Sequence, residues 1–243
     1  MSNIGYVSLS QATALERSMN MTAHNLANAT TSGYKAINPL LESVESNSID
    51  EGISYVVDKG TYLDLSNGPL TPTGNPLDVA VSGPGWLSFQ LEGGGTGYSR
   101  HGQLVVDADG QLKTSTGLAL LDGGGGPVTL PEDIGQNVVI TTDGAITDPD
   151  GVVLGTIGVF NIEQEARMTP LGGGMYQLPG DAAAPQESED PKIKQGFVEG
   201  SNVQAVMEMT RLIDIQRAYE NSVRLMTADD TLTKTSIQRL GRV

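Results

Sequence analysis

The strongest limit on what this chain can become is the placement of its helix and strand breakers. All 12 prolines and 28 of the 31 glycines fall between residues 36 and 200; only Gly5, Gly33 and Gly241 lie outside. Proline removes a backbone donor and glycine costs conformational entropy, so long helices belong at the two ends and turn-rich structure between them. Charge divides the same way. Residues 1–35 and 201–243 each carry a net charge of +1, around a centre of −17, for −15 overall. At 243 residues there is room for one large domain or two small ones, with a core that needs no disulfide.

Both ends have a helical period. From Ser8 to Ala29 there is no Gly or Pro, and Ala12, Leu15, Met19, Thr22, Leu26 and Ala29 recur at alternating spacings of 3 and 4. That is the stripe of a helix seam. Thr30-Thr31-Ser32-Gly33 then reads as a stop, with Gly33 as a left-handed cap. A second helix is expected over residues 202–240, capped by Ser201 or Asn202. Along it Met209, Leu212, Gln216, Tyr219, Val223 and Met226 repeat the same spacing, and the register runs on through Asp230 and Thr233 to Ile237 and Leu240. A rod of that length spans about 60 Å and cannot fold back on a small domain along its whole length. It needs partner helices. Polar Thr22, Gln216 and Asp230 on the seams suit packing shared among several helices better than a tight two-stranded coil.

Between residues 53 and 198 the period changes to two. Leu77-Asp78-Val79-Ala80-Val81 and Trp86-Leu87-Ser88-Phe89-Gln90-Leu91 alternate around Gly83-Pro84-Gly85, and short strands punctuated by Gly, Pro, Asn and Asp follow. Such spacing indicates antiparallel structure. The expected fold is mixed and mainly β: a central antiparallel β-sandwich or barrel-like domain carried by paired N- and C-terminal α-helices. The expected segments are an N-terminal helix region over 1–35, an extended connector over 36–72, an acidic β domain over 73–200 and a C-terminal helix over 201–243.

Composition excludes several chemistries. With no cysteine there is no thiol nucleophile or disulfide scaffold, and two histidines leave little for a zinc site. The acidic balance argues against nucleic acid or an anionic membrane as partner. No apolar run approaches the ~20 residues of a membrane span, so no membrane insertion is expected. The N-terminus lacks the basic-then-apolar pattern of a cleaved secretory signal. Asp107-x-Asp109-Gly110 begins like a calcium loop, but Thr116 stands where the pattern needs Glu. The Asp-Gly pairs at 109–110, 143–144 and 150–151 read as hairpin turns. Gly123–Gly126 runs into Pro127 and strand-like residues and makes no phosphate loop. Ser99 and His101 lack a nucleophile elbow. Trp86 and Phe89 read as core, and His24 and His101 as ordinary polar residues. No catalytic, cofactor or metal site is expected. Among enzymes, a carboxylate-based hydrolase of cell-wall glycans is the alternative that the many central acids allow; a calcium-binding adhesin-like module is another.

Particular strings are more specific. Met21-Thr22-Ala23-His24-Asn25-Leu26-Ala27-Asn28-Ala29-Thr30-Thr31-Ser32-Gly33-Tyr34-Lys35 resembles the signature that opens bacterial flagellar rod and hook proteins, with His24 where that family usually has Asn. Thr73 to Gly83, Tyr98-Ser99-Arg100-His101-Gly102 and Asp109-Gly110-Gln111-Leu112 resemble the segments that follow in the family. Gln195-Gly196-Phe197-Val198-Glu199-Gly200-Ser201-Asn202-Val203, Glu208-Met209 and Gln216-Arg217-Ala218-Tyr219-Glu220 resemble its C-terminal signature. The matches cover nearly the whole chain in order. Length and the start Ile4-Gly5-Tyr6-Val7-Ser8-Leu9 most resemble proximal-rod members, with distal-rod members the near alternative.

The resemblance implies a structural axial subunit of the basal body. It implies export by the flagellar export apparatus without a cleaved signal, and assembly in the periplasm with other proximal and distal rod proteins. The terminal helices then form the assembly interface. Leu15, Met19, Leu26, Met209, Leu212, Tyr219, Val223 and Met226 supply apolar contact, Gln216, Arg217 and Glu220 polar and charged pairing, and Asn25 and Asn28 the signature amides. Deletion of 1–35 or 202–243 is expected to stop assembly and leave the centre folded.

Overall fold

The computed structural model describes residues 3–45, 54–131, 137–163 and 165–241. Ile53, the expected start of the strand-patterned centre, lies outside them. The chain divides into two compact units: Met1–Ala27, Ile37–Tyr62 and Gln204–Val243 in one, Asn28–Ala36 and Leu63–Val203 in the other. Residues 28–36 and 63–72, expected with the first helix region and the connector, thus belong to the central unit.

The helical unit holds α1 (Asn3–Ala27) and α2 (Ala205–Leu240). The first starts five residues before Ser8, because Gly5 alone in a first turn does not stop a helix. The second is 36 residues long. Gly5 lies beside Met226–Thr233 and Leu15 beside Met207–Ala218, so the two helices pair antiparallel. Neither Ser201 nor Asn202 caps α2. Its N-cap is Gln204, without a side-chain cap bond. The expected connector contains β1 (Ile37–Glu45) and β2 (Ser54–Leu63), which pair with each other.

The central unit is built of antiparallel sheets. The largest has six strands in the order Thr169–Gly172, Met175–Gln177, Thr96–Ser99, Trp86–Gln90, Val159–Asn161 and Gln186–Glu187. Smaller antiparallel pairs join Val79–Val81 to Ile193–Gln195 and Leu70–Pro72 to Phe197–Glu199. No sheet among the described residues closes as a barrel. The fold is mixed and mainly β with a helix at each end. Leu77, Val79, Leu87, Phe89, Leu104, Leu112, Leu120, Ile146 and Ile193 lie in one shared apolar core. Trp86 is also buried, its indole N–H donating to Glu165 Oε2 at 2.6 Å.

Asp-Gly pairs make the turns. Gly110, Gly144 and Gly151 have φ of 77°, 88° and 87°, which a side chain strongly disfavours. Asp107 Oδ1 accepts the N–H groups of Asp109 and Gln111 at 2.9 and 2.8 Å, and Oδ2 pairs with Lys113 at 2.5 Å. Its oxygens are thus committed to closing the turn.

Candidate functional site

The buried positions of α1 are mostly small: Gly5, Ser8, Ala12, Ala14, Ser18 and Thr22, with Asn25 near its end, and Leu15, Met19 and Leu26 are half-buried. Small side chains let neighbouring backbones approach closely. On α2 the less exposed stripe is Leu212, Ile215, Tyr219, Ser222, Met226 and Asp229, and Ser222 is its one buried residue. The expected periodic stripe overlaps this one only in part. Leu212, Tyr219 and Met226 belong to it, but Met209, Gln216 and Val223 are exposed. A spacing of 3 and 4 through Leu212, Tyr219 and Met226 is satisfied by 215 and 222 as well as by 216 and 223. Packing against the helical unit selects the first set, and periodicity alone does not.

The result is a set of large apolar side chains left open on the surface of α2. Val206, Met209, Ile213, Val223 and Leu225 are exposed, and from Asp230 to Leu240 every residue is exposed, with Leu232, Ile237 and Leu240 at 68%, 65% and 77%. Arg217 is exposed. Glu220 lies within reach of Arg224 at 3.9 Å and of Gln216 at 3.5 Å on its own helix.

Asn25 is not on this surface. It is 1% exposed, and its side chain accepts from Ile37 N and donates to Ile37 O, both at 2.9 Å. The amide of the signature therefore pins the start of β1 to the end of α1. Removing it strips two buried backbone groups of their partners. Asn25→Ala is expected to cost about 2–4 kcal/mol, read as a lower urea midpoint of the full chain. Asn28 is a turn residue: its backbone and side-chain oxygens accept from Thr31 N and Oγ1, both at 3.1 Å.

The strings that carry the resemblance meet inside the central unit. Lys35 and Glu199 are 164 residues apart, yet Lys35 Nζ lies 2.8 Å from Glu199 Oε1 and 2.8 Å from Ser66 O. Arg100 Nη1 reaches Glu199 Oε2 at 3.3 Å and Val81 O at 3.1 Å, and Nη2 reaches Gly83 O at 2.7 Å. The guanidinium also lies 5.4 Å from the centre of the Trp86 ring, within cation–π range. Tyr176 stands edge-on to Trp86, and its hydroxyl accepts from Lys35 N at 2.7 Å. All three charged side chains are at most 4% exposed. Burial pulls the Lys35 ammonium below its usual range, against the opposing pull of Glu199. It acts likewise on Arg100 and pushes Tyr176 up to about 12.

Around these charges the entering and leaving segments are stitched together. Gly33 N donates to Glu199 O at 2.8 Å, and Asn202 N to Tyr34 O at 3.3 Å. The Asn202 side chain accepts from Ala36 N at 2.8 Å and donates to Asp64 O at 2.9 Å. Gly33 has φ +70° and an added Cβ would lie 2.3 Å from His101 N, so only glycine fits. Ser99 and His101 serve structure: Ser99 Oγ donates to Gly174 O at 2.6 Å, and His101 Nδ1 lies 3.3 Å from Ser32 O. Burial pulls His101 below its ordinary value.

Sequence reasoning missed Lys35, Arg100, Glu199 and Asn202 as a group, and Ile215 and Ser222 on the seam. The available signal was single charges set among Gly, Ser and aromatic residues in strings already recognised as family-like.

Residues 194–239 match the flagellar basal body rod FlgEFG protein C-terminal family, and residues 80–148 the flagellar hook protein FlgE/F/G D1 domain. The FlgF rod protein of Caulobacter vibrioides is 33% identical over all of both chains. That of Mesorhizobium japonicum is 35% identical over 97% of each. The FlgG rod protein of Agrobacterium fabrum is 34% identical over 89% of this chain and 92% of its own. Identity at this level over whole chains, together with the two domain matches, shows that the chain belongs to the flagellar basal-body rod proteins, as a FlgF-like structural subunit and not an enzyme.

Proposed function

We propose that the chain polymerises through its terminal helices into the hollow proximal rod and helps transmit torque from motor to hook. It leaves the cell through the flagellar export apparatus without a cleaved signal and assembles in the periplasm beside other proximal-rod proteins and the distal rod protein. The observation that carries this is the number of exposed apolar side chains along α2, a 36-residue helix paired with a 25-residue one. Large apolar side chains left in solvent in this number on one helix suit burial against neighbouring subunits. Met209, Val223, Arg217 and Gln216 lie on exposed positions, where neighbouring subunits can reach them. Asn25 and Asn28 hold the fold and leave the proposed interface.

Because the chain has no cysteine, a single introduced thiol gives a clean probe. Val223→Cys and Met209→Cys are expected to cross-link to neighbouring rod subunits in assembled basal bodies, while Val139→Cys in the central unit gives little. Cross-links confined to the central position would overturn the proposal. The FlgG relative keeps the distal rod open as a second reading, and the identity of the captured partner, proximal or hook-side, decides between them.

A further inference from the structure

The chain contains one Asn-Gly pair, Asn67-Gly68. Glycine puts no side chain in the way of its own backbone nitrogen, so that nitrogen can attack the neighbouring asparagine amide. The new bond joins Gly68 N to Asn67 Cγ. The side-chain nitrogen leaves as ammonia, taking up the displaced backbone proton. Water then opens the ring at one carbonyl to give aspartate or at the other to give isoaspartate. The net change is loss of ammonia and gain of water.

Replacing Gly68 is not open to this fold. An added Cβ would sit 2.0 Å from Gly200 O. Asn67 itself is exposed to water. What restrains the pair is its surroundings. Gly68 is buried, and its N–H donates to Glu199 Oε1 at 3.0 Å. On one side Ser66 O accepts from Lys35 Nζ at 2.8 Å and from Asn202 Nδ2 at 3.1 Å. On the other, Pro69 O accepts from Gly200 N at 2.8 Å. Ring closure needs the nitrogen free of its proton, aligned with the carbonyl carbon and about 3–3.5 Å from it. A charge-assisted bond to a carboxylate holds that proton, and the flanking anchors hold the backbone.

We propose that Asn67 is a latent deamidation site held unreactive by Glu199, and that isoaspartate formed there keeps the buried ion cluster from closing again. Isoaspartate adds a backbone atom between Ser66 O, which serves Lys35, and Gly68 N, which serves Glu199. The two anchors then no longer match the spacing of their partners. Modification therefore proceeds when the cluster opens locally, and it makes the opening permanent.

The test uses the full-length chain at mildly alkaline pH, in buffer and in denaturing urea, with isoaspartate at residue 67 quantified by peptide mapping. Native protein is expected to react at least ~10-fold more slowly than denatured protein, the difference measuring the rarity of local opening. Glu199→Gln is expected to speed the native reaction several-fold while amides of Trp86–Gln90 stay protected from hydrogen exchange. If that variant does not fold, the wild type in graded sub-denaturing urea provides the test: modification should rise in step with exchange of the Gly68 amide. Equal native and denatured rates would overturn the proposal. So would an unchanged rate in a folded Glu199→Gln, or modification while the Gly68 amide remains protected.

Discussion

Glu199→Ala is expected to destabilise the full chain by about 3–5 kcal/mol, the usual cost of removing one partner from a buried ion cluster. The carboxylate bonds to both buried cations, and it also accepts from Gly68 N. Its loss leaves Lys35 and Arg100 buried without the carboxylate bonded to them. Lys35→Met should cost less, since Arg100 still pairs with Glu199. Replacing all three by apolar residues of similar volume should return much of the loss, because the penalty lies in uncompensated charge. Fluorescence of Trp86, the single tryptophan, follows urea unfolding at the site itself, since Arg100 lies over its ring. A Glu199→Ala cost under about 1 kcal/mol, the range of an exposed pair, would show that the cluster does not hold the unit together.

Removing the helices should abolish incorporation into the rod, but the cuts must fall elsewhere than the pattern of the ends suggests. Deletion of 1–35 takes away Tyr34 and Lys35, which are 2% and 1% exposed in the central unit. Deletion of 202–243 takes away Asn202, whose side chain holds Ala36, Asp64 and Ser66. Both are therefore expected to destabilise the centre, contrary to the reading from the termini alone. Deletion of 1–27 or of 204–243 removes the helices and leaves these contacts. Those variants should keep the Trp86 unfolding transition and lose assembly completely, scored by motility and by co-purification with basal bodies. Incorporation of either shortened chain would rule out assembly through the helices.

Pattern reading succeeds for some elements of this chain and stops at others. Helix-forming ends were legible because breakers are absent there, and strands in the centre because Asp-Gly turns force a hairpin at Gly110, Gly144 and Gly151. The β1–β2 pair was not legible: β1 carries Pro39 and two glutamates, and it alternates weakly. The seam of α2 was legible only to within one residue at alternate positions, since 3.6 residues per turn leave two neighbouring stripes equally periodic. Glu199 shows no local sign of its role. Its partners lie 99, 131 and 164 residues away, and only folding brings them together.

Asn202 has a wider consequence. Backbone at Ala36, at Asp64 and at Asn202 itself is tied at this one side chain, so three of the four passages of chain into or out of the central unit share a single doorway. A unit built this way is a cassette. Its exposed loops, such as Gly93–Gly95 and the acidic stretch 181–191, can lengthen or shorten without touching the bonds of Asn202. Changes at Gly33, Asn202 or Gly68 alter the threads themselves. Variation in size is therefore cheap in one part of this molecule, while at the doorway a single atom is too many.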